Sequence, residues 1–228
     1  MSEASSAAPL AVLMSGGLDS SILLAHLAAR GHLIRPLYIS SGLVWQRAEL
    51  AAARRFLKSV GQPQIAELVV LSLPVDDLYG GHWSVTGRQT PDARTSDDAV
   101  YLPGRNPLLL VKAIVWCHLH GVGQLALAPL GSNPFADATD EFFAEFQQAL
   151  NRAVSGRVEI IRPFGRLDKR QVMELGRDYP LGETFSCIAP VGELHCGRCN
   201  KCAERQQAFR LIGVVDPTVY AASTAVFK

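Results

Sequence analysis

Apolar residues along the chain follow two alternating rhythms. Short continuous runs at Leu10 to Leu13, Leu33 to Ile39, Ile65 to Leu71, Gln124 to Leu130 and Val158 to Ile161 read as buried strands. Between them, apolar positions recur at helical spacing. Asp19 to Arg30 predicts a helix ended by Gly31, and Arg47 to Val60 one ended by Gly61. Asn106 to His120 is expected to open on Asn106 as N-cap with Pro107 in the first turn, and to stop before Gly121. Asp140 to Asn151 follows, and Asp168-Lys169-Arg170-Gln171 has the form of a capping box opening a helix to Gly176. Alternation of this kind predicts an α/β protein, a doubly wound and mostly parallel five-stranded sheet with helices on both faces. Ligands of such sheets bind beyond the carboxyl ends of the strands, at the switch point. The long polar stretch Ser72 to Gly104 breaks the rhythm and is read as a lid or binding segment.

Composition narrows the class. At 228 residues and 48% hydrophobic, the chain can bury a sizeable core as one domain with at most a small appendage. A net charge of +1, with no long block of like charge, argues against a broad nucleic-acid footprint. The longest apolar candidate is interrupted by Lys112 and bracketed by Pro107 and Gly121, so no membrane span is expected. Met1 to Pro9 contains Glu3 and lacks a basic start; it is read as a frayed tail and not a signal peptide. Five cysteines without a secretory signal then point to the reducing cytoplasm, and to metal or thiol chemistry.

Two constellations carry chemistry. In the first, Met14-Ser15-Gly16-Gly17-Leu18-Asp19-Ser20-Ser21 joins the first strand to the first helix. Adjacent glycines allow a sharp turn, and the serine hydroxyls stand beside the free N–H groups of a helix start, which together make a seat for phosphate. The spacing is neither that of a Walker loop nor that of the dinucleotide fingerprint. Asp19 would be repelled by phosphate unless it orients the loop or holds Mg²⁺. In the second, Cys187, Cys196, Cys199 and Cys202 fall within 16 residues as C-x8-C-x2-C-x2-C. Four thiolates suit a tetrahedral Zn²⁺ with no open position for water, hence a structural ion, and an iron–sulfur cluster is the chemical competitor.

Other reactive side chains are read more plainly. Cys117, beside Trp116 in an apolar helix, is a small buried hydrophobe. His195 is a loop residue, and His118 and His120 are partners for a helix C-terminus. His82-Trp83 either stacks on a base or packs the long loop against the core.

The first loop resembles the Ser-Gly-Gly-x-Asp-Ser pyrophosphate loop of the N-type ATP pyrophosphatases, which cleave ATP to AMP and pyrophosphate while adenylating a substrate. Combined with the cysteine pattern, the chain resembles the 7-cyano-7-deazaguanine synthase family, the QueC-like enzymes. Tyr101-Leu102-Pro103-Gly104-Arg105-Asn106 is similar to its Tyr-x-Pro-x-Arg-Asn element, and Gly131-Ser132-Asn133 to its Gly-x-Asn turn. Arg162-Pro163-Phe164, Leu167-Asp168-Lys169 and Thr184-Phe185-Ser186-Cys187 are similar to three further elements.

The resemblance implies an adenine nucleotide alpha hydrolase-like fold, with the pyrophosphatase domain over residues 1–180 and a small helical zinc lobe over 181–228. It implies a cytoplasmic ATP-dependent carbon–nitrogen ligase of queuosine biosynthesis. Such an enzyme converts 7-carboxy-7-deazaguanine and ammonia to the nitrile, as a homodimer. Residue by residue, Met14 through Ser21 would hold the phosphates. Asp19 and Lys169 would act on ATP, with Lys169 neutralising charge on pyrophosphate and Arg105 doing the same or pairing with a carboxylate. The alternative is a paralogue that adenylates a related carboxylate and passes it to a different amine. The departures from the family pattern bear on that choice. Ser40 to Arg47 stands where the family has Asp-Tyr-Gly-Gln-Arg-His, Pro134 to Asp140 is shortened, and Phe185 replaces Trp. Asp137 would either read a guanine-like edge or cap the next helix.

Overall fold

The computed structural model describes residues 8–221; most of the N-terminal tail and residues 222–228 lie outside the described residues. The chain runs β1 (Leu10–Leu13), α1 (Leu18–Ala29), β2 (Ile34–Ser40), α2 (Gln46–Val60) and β3 (Val69–Ser72). After the long stretch, with its one-turn helices α3 (Asp76–Tyr79) and α4 (Trp83–Thr86), come α5 (Arg105–Leu119), β4 (Gln124–Ala126) and α6 (Asp140–Ala153). β5 (Glu159–Ile161), α7 (Lys169–Leu175) and α8 (Asn200–Leu211) complete the order.

All five strands are parallel, in the order β3-β2-β1-β4-β5. The chain winds outward from β1 to β3 and returns on the other side of β1, so the switch point lies between β1 and β4, where the glycine loop leaves β1. Period-two alternation divides β1 between two cores. Leu10 and Val12 join α1, α7 and α8 on one face, through Ile22, Leu23, Val172 and Phe209. Ala11 faces α5 and α6 on the other, with Ile114, Cys117 and Phe143. A third cluster joins Trp45, Val75, Leu102 and Phe185 to the four C-terminal cysteines. Among the described residues no helix is long and apolar enough to cross a membrane.

Three local expectations need correction. The fourth strand ends at Ala126, short of the expected Leu130. Asn106 is not the N-cap of α5; Gly104 is, in the left-handed region at φ 72°, and Asn106 lies inside the first turn. The glycine supplies a backbone sign that asparagine adopts less readily, and the Asn106 side chain donates instead to the Asp137 carbonyl at 2.9 Å. The third strand is shorter than Ile65 to Leu71, because Ile65 meets Ile34 only as an isolated bridge before pairing resumes at Val69. The capping box at Asp168 forms as expected, with Gln171 N–H donating to Asp168 at 2.8 Å and Asp168 N–H to Gln171 at 2.9 Å.

Candidate active site

A cavity of about 360 Å³ opens at the carboxyl ends of β1, β2 and β4. Its floor is the glycine loop. Gly16 adopts φ +76°, and a Cβ there would sit 2.9 Å from the Glu49 carbonyl, so the loop can pack on α2 only as glycine. The Ser15 N–H donates to Ser20 Oγ at 3.1 Å, and the two hydroxyls lie 3.1 Å apart. Ser15, Gly17, Leu18, Asp19 and Ser20 face the cavity together with Met14. Ser21 does not: it is fully buried, and its Oγ has no hydrogen-bond partner among the described residues.

Lys169, the first residue of α7, reaches across to α1. Its Nζ lies 2.8 and 2.7 Å from the two Asp19 oxygens and 3.4 Å from Glu204 Oε1. Burial lowers the Lys169 pKa, but Asp19 and Glu204 together raise it above its ordinary value, so the ammonium stays charged. Glu204 comes from α8 and carried no signal in the sequence. It also accepts from Lys201 Nζ at 2.6 Å.

Arg105, Tyr38, Trp45, Glu49 and Trp83 line another part of the cavity. Among the described residues Arg105 has no ion-pair partner within 4.0 Å, leaving its guanidinium to a ligand. Tyr38 donates to Glu49 Oε2 at 2.7 Å. Burial pushes the Glu49 carboxyl up to about 7, against the opposing pull of Arg105, the Tyr38 hydroxyl and Trp45. Neither Tyr38 nor Glu49 was singled out by the sequence; an acidic residue in the first turn of a helix after the second strand was the only available cue. Trp83 stacks on Trp45 with ring centroids 5.7 Å apart, so the long segment packs on the start of α2 and presents aromatic faces to the cavity at once. Gln46 accepts from the Gly42 N–H, Arg47 is exposed, and neither lines the cavity.

The four cysteines converge, with all four Sγ atoms within 4.8 Å of one another and every side chain buried. Cys187 and Cys199 sulfurs are 3.8 Å apart and Cys196 and Cys202 sulfurs 3.9 Å. A tetrahedral zinc with Zn–S of about 2.3 Å requires S···S edges of about 3.8 Å, so the donor set fits that ion. Backbone N–H groups of Ala189 and Cys196 point at Cys187 Sγ, and those of Arg198 and Cys199 at Cys196 Sγ, as acceptor thiolates require. His195 is not a ligand: its Nε2 accepts from the Ser186 N–H at 3.1 Å, and burial holds its pKa down to about 3. The long segment is tied to this lobe through Ala93 N–H to the Arg198 carbonyl at 3.0 Å and Asn200 Nδ2 to the Thr95 carbonyl at 2.9 Å.

Remaining candidates resolve simply. Cys117 is wholly buried, and burial pushes its thiol up to about 12, as befits a core residue. His120 ends α5 with its Nδ1 2.8 Å from the Trp116 carbonyl. Asp137 is buried and serves the preceding helix, its Oδ2 accepting from the Asn106 N–H at 3.3 Å, while Thr139 caps α6. It neither faces the cavity nor caps the next helix. The Gly131 turn abuts the segment after β5, where a Cβ would lie 2.5 Å from the Gly165 carbonyl.

Against known proteins, residues 10–213 match the family described as "Queuosine biosynthesis protein QueC". The chain is 34% identical to the 7-cyano-7-deazaguanine synthase of Syntrophobacter fumaroxidans, covering 92% of this chain and 94% of that one. It is 33% identical to the enzyme of the same name from Paracoccus denitrificans, over 92% and 91% of the two chains. A solved structure described as a predicted subunit of tRNA methyltransferase from Methanocaldococcus jannaschii shares the fold, with a TM-score of 0.50 at 15% identity over 75% of each chain. A match spanning the glycine loop, the Asp19–Lys169 pair and the cysteine lobe, with relatives aligned over nearly their full length, leaves one assignment: the chain belongs to the QueC family of queuosine biosynthesis proteins.

Proposed function

We propose that the protein is an ATP-dependent carbon–nitrogen ligase that converts 7-carboxy-7-deazaguanine and ammonia to 7-cyano-7-deazaguanine. A carboxylate resists attack by ammonia until one oxygen becomes a good leaving group. The acid oxygen attacks the α-phosphorus of ATP and pyrophosphate departs; ammonia then displaces AMP to give the amide. A second ATP activates the amide oxygen in the same way, and loss of AMP with two protons leaves the nitrile. The observation that carries this reading is the charged wall of Asp19 and Lys169 beside the glycine loop, in a chain whose relatives bear that enzyme's name.

In this reading the loop from Met14 to Ser20 seats the phosphates on its N–H groups and on the Ser15 and Ser20 hydroxyls. Lys169 adds positive charge beside them and is kept in place by Asp19. Arg105, without an ion-pair partner among the described residues, takes the substrate carboxylate or the phosphate on which charge develops. Asp19 would hold Mg²⁺ on lone pairs not used by Lys169, a hard oxygen donor next to bound phosphate; the ion would neutralise phosphate charge. The four cysteines would hold a structural Zn²⁺ that braces the C-terminal lobe over residues 181–228 against the domain of residues 1–180. Five cysteines without a disulfide among the described residues also suit the reducing cytoplasm.

Purified protein given ATP, ammonia and the acid should form the nitrile with AMP and pyrophosphate, and Asp19→Ala should abolish ATP cleavage while leaving the melting profile intact. Absence of any turnover by the wild type refutes the reading. One observation favours a second: Gln46 and Arg47, the nearest match to the family's Gln-Arg-His, do not line the cavity, which Trp45 and Trp83 line instead. Pyrophosphate release on the acid without nitrile would assign the chain to a paralogue that delivers the adenylate to a different amine.

A further inference from the structure

The metal lobe sends side chains into the nucleotide cavity. Cys199 is the N-cap of α8 and Cys202 lies in its first turn, so the helix start that offers two sulfurs also projects Lys201 and, one turn on, Glu204 and Arg205. Lys201 and Glu204, three residues apart on one helix face, line the cavity with Lys169 and Asp19. The four groups form one chain of contacts: Asp19 to Lys169 at 2.7 Å, Lys169 to Glu204 at 3.4 Å, and Glu204 to Lys201 at 2.6 Å.

An ammonium group has three N–H donors. Lys169 is committed to carboxylates: it hydrogen-bonds both Asp19 oxygens, at 2.8 and 2.7 Å, and ion-pairs Glu204 at 3.4 Å. Its single charge is moreover set against two carboxylates, so Asp19, Lys169 and Glu204 together present a net negative charge to an incoming polyanion. Lys201 offsets that negative charge. Among the described residues its only side-chain partner is Glu204, which leaves two N–H donors, and its charge brings the four-membered wall to neutrality. With its side chain 31% exposed, it can turn toward a ligand without dismantling the core.

From this geometry we infer that Lys201 is a pyrophosphate-binding residue of the ATP site, delivered by the first turn of the metal-bearing helix and held at one end of the Glu204 carboxylate whose other end holds Lys169. The inference rests on the ATP reading above and changes how that reading distributes its charges: Lys169 anchors the wall, and Lys201 donates to the oxygens of the departing group.

The test is calorimetric titration of inorganic pyrophosphate into the full-length, zinc-loaded protein and its Lys201→Met and Lys201→Arg variants, with zinc content and melting temperature measured on each. Loss of one charge-assisted contact should weaken pyrophosphate binding about ten-fold or more in Lys201→Met, with Lys201→Arg close to wild type. Unchanged zinc content in both variants would locate the effect at the ligand and not in the metal lobe. A Lys201→Met protein that retains zinc and binds pyrophosphate within about two-fold of wild type overturns the inference and leaves the ATP reading standing. A wild-type protein that binds neither pyrophosphate nor ATP overturns both.

Discussion

Arg205 holds together the wall opposite the sheet, and its removal should be felt both in stability and at the active site. The side chain is 1% exposed. Its Nε donates to Thr218 Oγ1 at 2.6 Å, Nη1 to Thr184 Oγ1 at 2.7 Å and Ser186 Oγ at 3.3 Å, and Nη2 to the Leu181 carbonyl at 2.8 Å. It also lies over the Phe209 ring, 5.3 Å from its centroid. Four hydrogen bonds to a charged donor, at about 1.5–3 kcal/mol each, set a ceiling of roughly 6–12 kcal/mol. Arg205→Ala will not lose all of that. The adjoining cavity admits water, three of the acceptors are hydroxyls that can turn elsewhere, and the Leu181 carbonyl keeps its bond from Thr184 Oγ1 at 2.7 Å. A net loss of about 3–5 kcal/mol is expected, in the range measured for breaking buried ionic contacts. At about 2–4 °C per kcal/mol for a chain of this size, the midpoint should fall by about 6–20 °C. The Thr184–Ser186 segment that Arg205 clamps includes Phe185, whose N–H donates to the Gly16 carbonyl of the phosphate loop at 2.8 Å, so KM for ATP should rise in the same variant. Arg205→Lys keeps the charge but not the planar fork and should recover only part of the loss. Scanning calorimetry on zinc-loaded protein, paired with ATP-dependent kinetics, reads both effects. An alanine variant melting within about 2 °C of wild type would refute the clamp.

Further expectations concern metal and pH. Cys199→Ser should lose zinc and soluble protein together, because the free energy of binding the ion is free energy of folding; metal analysis finding iron with sulfide in the wild type would overturn the zinc assignment. Glu49 has its folded-state pKa raised to about 7, so its contribution to stability is complete below the unfolded value near 4.5 and is lost as pH rises through 7. Melting temperature measured from pH 5 to pH 8 should therefore fall less steeply in Glu49→Gln than in wild type, and parallel curves would show that the carboxyl is not held protonated by the fold.

The sequence by itself determined the parts of this protein that depend on neighbours a few residues away. Apolar spacing gave the strand and helix order, because periodicity records which face of each element is buried. The capping box at Asp168 and the left-handed stop at Gly61 formed where they were read, since both are closed by contacts within one turn. The glycine loop and the cysteine spacing were legible for the same reason. Where a competing local choice existed, as between Gly104 and Asn106 at the start of α5, the residue tolerating positive φ prevailed.

Which side chains share the site was decided only by the tertiary structure. Asp19 and Lys169 stand 150 positions apart and meet because α1 and α7 pack on the same face of the sheet, with their N-terminal ends at one rim. Glu204, Lys201 and Arg205 read in the sequence as ordinary charges near a cysteine knuckle, and Glu49 as one acidic residue on an amphipathic helix. Only the docking of α8 and α2 around the switch point turned them into a charged wall, a clamp and a buried carboxyl. Periodicity carries no record of which helix ends converge, whereas charge pairing and desolvation depend on separations of a few ångströms between elements that the chain order keeps far apart.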